Sequence, residues 1–320
     1  MKLQPFEEKN RQIQEAFERL KAEQPERLKR RIDVSFCVQT FGMEPVTESL
    51  ARLSELGYKY AELPGQYGGV HSGHQQYITD IKKAMEQYDI KCSGVCPFTL
   101  AGFSLTEYDY FAKEKAYEYV KHNLEFCKEL GGSYYLVTPG PVDRVDPYDF
   151  GDYDRSVAAL NNLGKEFESR GIACAIEACQ EACAAYCHTF EETKQYIADV
   201  NHPAIQYIYG DTDHMAMGES HIGQAILDAG KRLKCLHLRE PGAGKAIGNA
   251  MLDVDTIIRA LYLTGFNEEG HFAVGEPGAC AYTESGEFSL FAKYPESVKR
   301  QMAKETIDYF KEREAEVLGL

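Results

Sequence analysis

The chain is 320 residues long, 44% hydrophobic and 27% charged, an ordinary globular composition with enough length to bury a large core without disulfides or structural zinc. Its net charge of −15 sets a field that repels phosphate backbones and anionic membranes, so neither nucleic acid nor a membrane surface is an expected partner. No run of about 18 apolar residues is present, and the opening MKLQPFEEKNRQIQ has no apolar signal segment; with ten cysteines and no CxxC pair, free thiols in a cytoplasmic setting are expected.

Residues 6–30 read as a helix, with Phe6, Ile13, Phe17 and Leu20 as its apolar positions and Pro25 as its break. This segment is taken as an N-terminal helical extension (residues 1–30), packed on the main domain (residues 31–320) or on a partner subunit. A regular alternation follows. Short β-rich runs occur at Ile32–Val38, Tyr58–Leu63, Ile90–Val95, Ser133–Thr138, Ile172–Glu177, Ile205–Tyr209, Leu233–Leu238 and His271–Glu276. Helical patterns occupy 45–56, 76–88, 112–130, 154–170, 190–199, 219–230, 254–264 and 294–315. Gly57, Gly131, Gly171 and Gly265 stand where helices should stop. Eight strand–helix repeats predict an α/β fold, a (β/α)8 TIM barrel; a doubly wound sheet is the alternative, but no GxGxxG follows the first strand. Cys179, Cys183 and Cys187 are spaced by four, as on one helix face, and read as small buried hydrophobes.

In such a barrel, the chemistry sits at the C-terminal ends of the strands. The fifth run ends in Glu177, the sixth leads into Asp211, the seventh contains His237 and the eighth ends in Glu276. Their separations of 34, 26 and 39 residues are each about one repeat, so the four side chains should converge on one rim. Three carboxylates and one imidazole make an oxygen-rich site suited to a divalent metal, Mn²⁺ first, with Mg²⁺, Co²⁺ or Zn²⁺ as alternatives. Glu62 ends the second run and is a candidate substrate contact or an interior residue of the barrel. His71 and His74 lie just after it. The aromatic-rich segment 277–293, with Tyr282, Phe288, Phe291 and Tyr294, reads as a lid or as packing.

These motifs resemble the xylose-isomerase-like barrel superfamily, which includes ketose 3-epimerases, hydroxypyruvate isomerases, inosose dehydratases and endonuclease IV. The resemblance spans about residues 31–315. Its most specific element is Asp211-Thr212-Asp213-His214-Met215, similar to a D-T-x-H-M motif after the sixth strand. His188-Thr189-Phe190-Glu191-Glu192 after Glu177, His237 with Glu240, and Glu276 also fit. The resemblance implies that Glu177, Asp211, His237 and Glu276 are metal ligands and that Glu177 and Glu276 are the catalytic acid/base pair. His214, His188, Arg239 and Glu240 are then candidate substrate contacts beside Glu62. Two stretches depart from the ketose 3-epimerase pattern: Gln180-Glu181-Ala182-Cys183 after the fifth strand, and Ala243 where an Arg is common, with Arg239 or Lys245 as replacements. Thr138 stands where endonuclease IV has a metal-binding His.

The expected function is a metal-dependent isomerase or epimerase acting on a sugar or keto-sugar. It would remove a proton next to a carbonyl through a metal-stabilised enediolate. The alternative is a C-glycoside-cleaving lyase using the same centre on a 3-keto-glycoside. Assembly as a homo-oligomer, or with a small accessory subunit, is compatible with the N-terminal extension.

Overall fold

The computed structural model describes residues 6–42, 44–66, 74–97, 103–141, 149–181, 183–241, 246–248, 251–277 and 294–320. The sequence positions His71, Ala182, Ala243, Lys245, Tyr282, Phe288 and Phe291 lie outside these residues, as does the side chain of His74.

Eight parallel strands form the barrel wall: β1 (Asp33–Phe36), β2 (Tyr60–Pro64), β3 (Lys91–Cys96), β4 (Tyr134–Val137), β5 (Ala173–Glu177), β6 (Ile205–Asp211), β7 (Leu233–Leu238) and β8 (Phe272–Gly275). Each hydrogen-bonds its sequence neighbour from β2 to β8, and β8 pairs with β1. A single parallel bridge between Cys37 and Glu62 brings β1 and β2 together. The (β/α)8 TIM barrel expected from the alternation is therefore the fold.

The helices are α1 (Phe6–Glu23), α2 (Val46–Glu55), α3 (His74–Tyr88), α4 (Tyr110–Glu129), α5 (Asp152–Arg170), α6 (Phe190–Val200), α7 (Thr212–Gly218), α8 (Ile222–Ala229), α9 (Val254–Thr264) and α10 (Glu296–Leu318). Gly57, Gly131, Gly171 and Gly265 all have positive φ, the backbone state that a stop after a helix requires. The helix expected over 219–230 is α8, and an additional short helix, α7, precedes it because Asp211 caps it through bonds from the Asp213 and His214 backbone N–H groups. One expectation is corrected. Cys179, Cys183 and Cys187 do not share a helix face. They sit in the loop from β5 to α6, and the Cys179 N–H bonds the Cys187 carbonyl.

Inside the wall, Tyr134, Leu136, Ala175, Tyr209, Cys235, Phe272 and Val274 fill the barrel with Cys37 and Cys96. Outside it, a second core joins strands to helices and includes Ile13 and Phe17 of α1. The N-terminal extension is thus part of the barrel's own core, packed against α8 and α9, with the Phe17 ring edge-on to Tyr262. Among the described residues, no helix is long and apolar enough to cross a membrane.

Phe17 is completely buried. Phe17→Ala should cost about 3–5 kcal/mol of stability, the range for emptying an aromatic core site. Urea unfolding followed by circular dichroism measures it. A loss below about 1 kcal/mol would mean that α1 is a detachable appendage.

Candidate active site

The parallel register carries the four strand-end residues to one mouth. Asp211 pairs with His237 across β6 and β7, His237 with Val274 across β7 and β8, and Glu177 lies opposite Tyr209. Glu276 follows β8 directly, its N–H bonded to the Leu238 carbonyl. His237 Nδ1 lies 3.2 Å from Glu276 Oε2, 3.8 Å from Asp211 Oδ2 and 3.9 Å from Glu177 Oε1. All four residues are buried, none more than 9% exposed.

His237 Nδ1 and Asp211 Oδ2 are buried without a well-formed hydrogen bond. That is costly for isolated polar atoms and expected for atoms aimed at an ion. Two atoms each about 2.1 Å from a common cation lie about 3.0–3.4 Å apart, so the observed spacings need little contraction to hold one. The donor set fits a divalent cation.

Around the four is a supporting shell. Glu62, expected either at the substrate or inside the barrel, is inside. It is fully buried, one oxygen accepts from Tyr134 OH at 2.6 Å and from Tyr209 OH, and the other accepts from His237 Nε2 at 3.0 Å. This leaves no oxygen of Glu62 facing a substrate and fixes the His237 tautomer, with Nδ1 toward the mouth. Tyr134 can reach Glu62 because residue 94 is glycine: a Cβ there would lie 2.5 Å from the Tyr134 ring.

Asp211 divides its two oxygens. Oδ1 caps α7 and accepts from Arg239 Nε at 3.1 Å, while Oδ2 faces the mouth. Arg239 also stands 2.9 Å from Asp211 Oδ2, 3.5 Å from Asp213 and 3.7 Å from Glu276. It acts first as a counter-charge to the carboxylates. Three ionised ligands with a divalent cation carry one net negative charge, which Arg239 balances.

His214 is buried beside this group. Its Nε2 accepts from Arg239 at 3.3 Å, so Nδ1 carries the proton and is left without a partner, available to a substrate oxygen. His188 is not brought to the four by any described contact. Its Nδ1 bonds the Cys179 carbonyl at 3.0 Å, and its N–H donates to Glu192 at 2.6 Å, so it secures its own loop. Glu240 is likewise buried and accepts from the Gly248 N–H at 2.9 Å, tethering the loop after β7. For Glu62, His188 and Glu240, the contacts seen are internal ones. Sequence reading missed Tyr134, Tyr209, Cys37 and Cys96. The cysteines stand at the ends of β1 and β3 and would have emerged from the strand-end rule applied to the first half of the barrel.

Burial dominates the electrostatics. It pushes Glu177 up to about 8, opposed by His237 and Arg239 and reinforced by Asp211 and Glu276. It pushes Glu276 up to about 7, again against His237 and Arg239. Burial also raises Asp211, yet Arg239, His214 and His237 outweigh it and hold this carboxyl well below the usual range. His237 is lifted well above an ordinary imidazole by Glu276 and Glu62 despite its burial. Burial lowers His214.

A parallel barrel with a carboxylate–histidine cluster that could hold a metal ion at its C-terminal mouth places the chain among the TIM barrels whose site lies at the strand ends. Residues 50–304 match the family model described as xylose isomerase-like TIM barrel, and the chain belongs to that family. It is 30% identical over 135 residues to the D-psicose 3-epimerase of Ruminiclostridium cellulolyticum, covering 39% of this chain and 45% of that protein. It is 21% identical over 229 residues to the ketose 3-epimerase of Arthrobacter globiformis, covering 71% and 76%. The crystal structure of a D-psicose 3-epimerase with D-tagatose from Clostridium cellulolyticum H10 superposes with a TM-score of 0.75 at 20% identity, over 88% of this chain and 99% of that one.

The raised proton affinity of Glu177 has a sign that can be tested. Between about pH 4.5 and 8, the folded chain keeps a proton there that the unfolded chain has lost, so this residue's contribution to stability falls as pH rises. In chelator-treated protein, Glu177→Gln should differ from wild type by a constant offset below pH 4.5. It should then gain on wild type up to pH 8, at no more than about 1.4 kcal/mol per unit. Urea midpoints over a pH series give the difference, and parallel curves would refute it.

Proposed function

We propose that this enzyme is a divalent-metal-dependent sugar epimerase or isomerase, with Glu177, Asp211, His237 and Glu276 as the metal ligands and Glu177 and Glu276 as the groups that move the proton. The observation that carries this reading is the convergence of three buried carboxylates on the unpartnered Nδ1 of His237 at the C-terminal mouth. The relatives that bear names are ketose 3-epimerases, which supports a sugar or keto-sugar substrate. They do not favour the C-glycoside-cleaving lyase.

When bound, the cation supplies Lewis acidity to a carbonyl oxygen and its neighbouring hydroxyl, making the adjacent C–H acidic. The oxygen-rich donor set suits Mn²⁺ first. The chain's own residues do the rest. Glu177 from β5 and Glu276 after β8 are separated by β6 and β7, so they approach the mouth from different sides. One carboxylate takes the proton from carbon; the other delivers a proton to the opposite face and inverts the centre. Delivery to the neighbouring carbon gives the aldose–ketose isomer instead. His214 Nδ1–H is placed to hold a substrate oxygen, and Arg239 keeps Asp211 ionised.

Glu177→Gln and Glu276→Gln should each lower kcat by about 10²- to 10⁴-fold, the scale for losing an acid/base group. Activity is followed by NMR in D₂O, with Mn²⁺ and a panel of ketoses and 3-keto-glycosides. Wild-type product should carry deuterium at the reacting carbon or its neighbour. Product free of solvent label would mean a hydride shift and would sink the two-carboxylate mechanism.

Glu62→Gln is expected to weaken Mn²⁺ binding by about 10- to 100-fold, because the carboxylate that orients His237 is lost. Calorimetric titration with Mn²⁺ reads this directly, and unchanged affinity would remove Glu62 from the metal-supporting shell.

A further inference from the structure

We propose that Cys37 and Cys96 form, with His237 and Glu276, a second donor set at the same mouth, through which the centre takes thiophilic divalent cations such as Zn²⁺ as a two-thiolate complex. The inference rests on reading His237 and Glu276 as metal ligands. Cys37 follows β1 and makes the bridge to Glu62 that brings β1 and β2 together, and its N–H donates to the Gly275 carbonyl at 2.9 Å. Cys96 is the last residue of β3. Both thiols face the barrel interior and are buried. One ligand atom from each of Cys37, Cys96, His237 and Glu276 lies within 4.8 Å of the other three. In a tetrahedron with bonds of about 2.0–2.3 Å, the donors stand about 3.3–3.8 Å apart, so modest side-chain rotation would close the set on an ion.

Three further observations single out this pair. Its thiols lie against each other, and Cys37 lies against the His237 ring. Cys92 and Cys127, by contrast, spend their thiols on the carbonyls of Gly94 and Tyr134. Independently, His237 Nδ1 is buried with no hydrogen-bond partner. Finally, β2 runs between β1 and β3, which puts the two backbones about two strand spacings, or about 9 Å, apart, beyond the reach of about 7 Å for a disulfide. An ion can join these sulfurs where a covalent bond cannot.

The chemistry is ligand exchange without redox. Each S–H gives its proton to solvent as a metal–sulfur bond forms. Sulfur selects Zn²⁺ and Co²⁺ over Mg²⁺ and Mn²⁺, which are left to Glu177 and Asp211. The two sets share His237 and Glu276, so occupation of one excludes the other.

Cobalt is the probe. Metal-depleted full-length protein is titrated with Co²⁺, and bound cobalt is counted by elemental analysis. Wild type should show a near-ultraviolet sulfur-to-cobalt charge-transfer band that Cys37→Ser and Cys96→Ser each weaken by about half and that the double variant loses, while cobalt stays bound. Zn²⁺ should also release about one more proton per chain than Mn²⁺ does near neutral pH, two from the thiols against one from Glu177, a wild-type measurement that decides the matter if the serine variants fold poorly. Bound cobalt without the band overturns the thiolate set and leaves the metal centre standing. No bound cobalt overturns both readings. A band that survives in the Cys37→Ser, Cys96→Ser double variant but is lost in Cys179→Ser would move the sulfur ligand to the β5–α6 loop and refute the assignment.

Discussion

Burying three carboxylates around one imidazole is costly. The ionised forms lose hydration and repel one another, and the rest of the site is arranged to offset this. Glu177 and Glu276 respond by holding their protons toward neutrality, and Asp211 stays ionised because Arg239 lies against it. Below the mouth, Glu62 carries a further buried charge, satisfied by two tyrosines and His237. The site is therefore a stack: a satisfied carboxylate at the bottom, an imidazole between, and three strained carboxylates above. On the proposed reading, a divalent cation would relieve the upper layer and leave the lower one unchanged.

The backbone enforces this stack more than any local motif does. Parallel register places Asp211 beside His237, with Glu276 just beyond the residue after His237's partner. The one-sided capping of α7 leaves Asp211 with a single oxygen for the mouth. Gly94 makes room for Tyr134, and Tyr134 with Tyr209 anchors Glu62. The bridge that brings β1 and β2 together is made by Cys37 and Glu62, so the seam of the barrel is also part of the site's floor.

Much of this was legible in the sequence because it follows from periodicity. Eight β-rich runs with glycines at helix ends gave the barrel, and the strand-end rule located Glu177, Asp211, His237 and Glu276. What depends on depth rather than spacing was not legible. Arg239 looks like a rim residue in sequence, yet it is folded against Asp211, and Glu62, for which the sequence left rim and interior both open, lies beneath His237. Helix α7 was missed because its start is fixed by a side-chain cap that doubles as a site residue. The 179–187 cysteines matched a helical period but lie in a loop, since spacing alone does not show where a helix begins.

The low identity to proteins of the same fold follows from the same division of labour. A TM-score of 0.75 at 20% identity means that the fold persists while most residues change. On the proposed reading, the four ligands need only four strand-end positions, and the supporting shell adds a few interior ones. In sequence, this chain departs from the ketose 3-epimerase pattern at Gln180, Glu181 and Ala243, in the stretches that follow β5 and β7, where a barrel of this kind carries its substrate contacts. Cys37 and Cys96 line the mouth as well, at the ends of β1 and β3. A site read as a metal-held acid/base centre therefore asks little of the sequence beyond its strand ends, and the loops above them can change without disturbing the barrel.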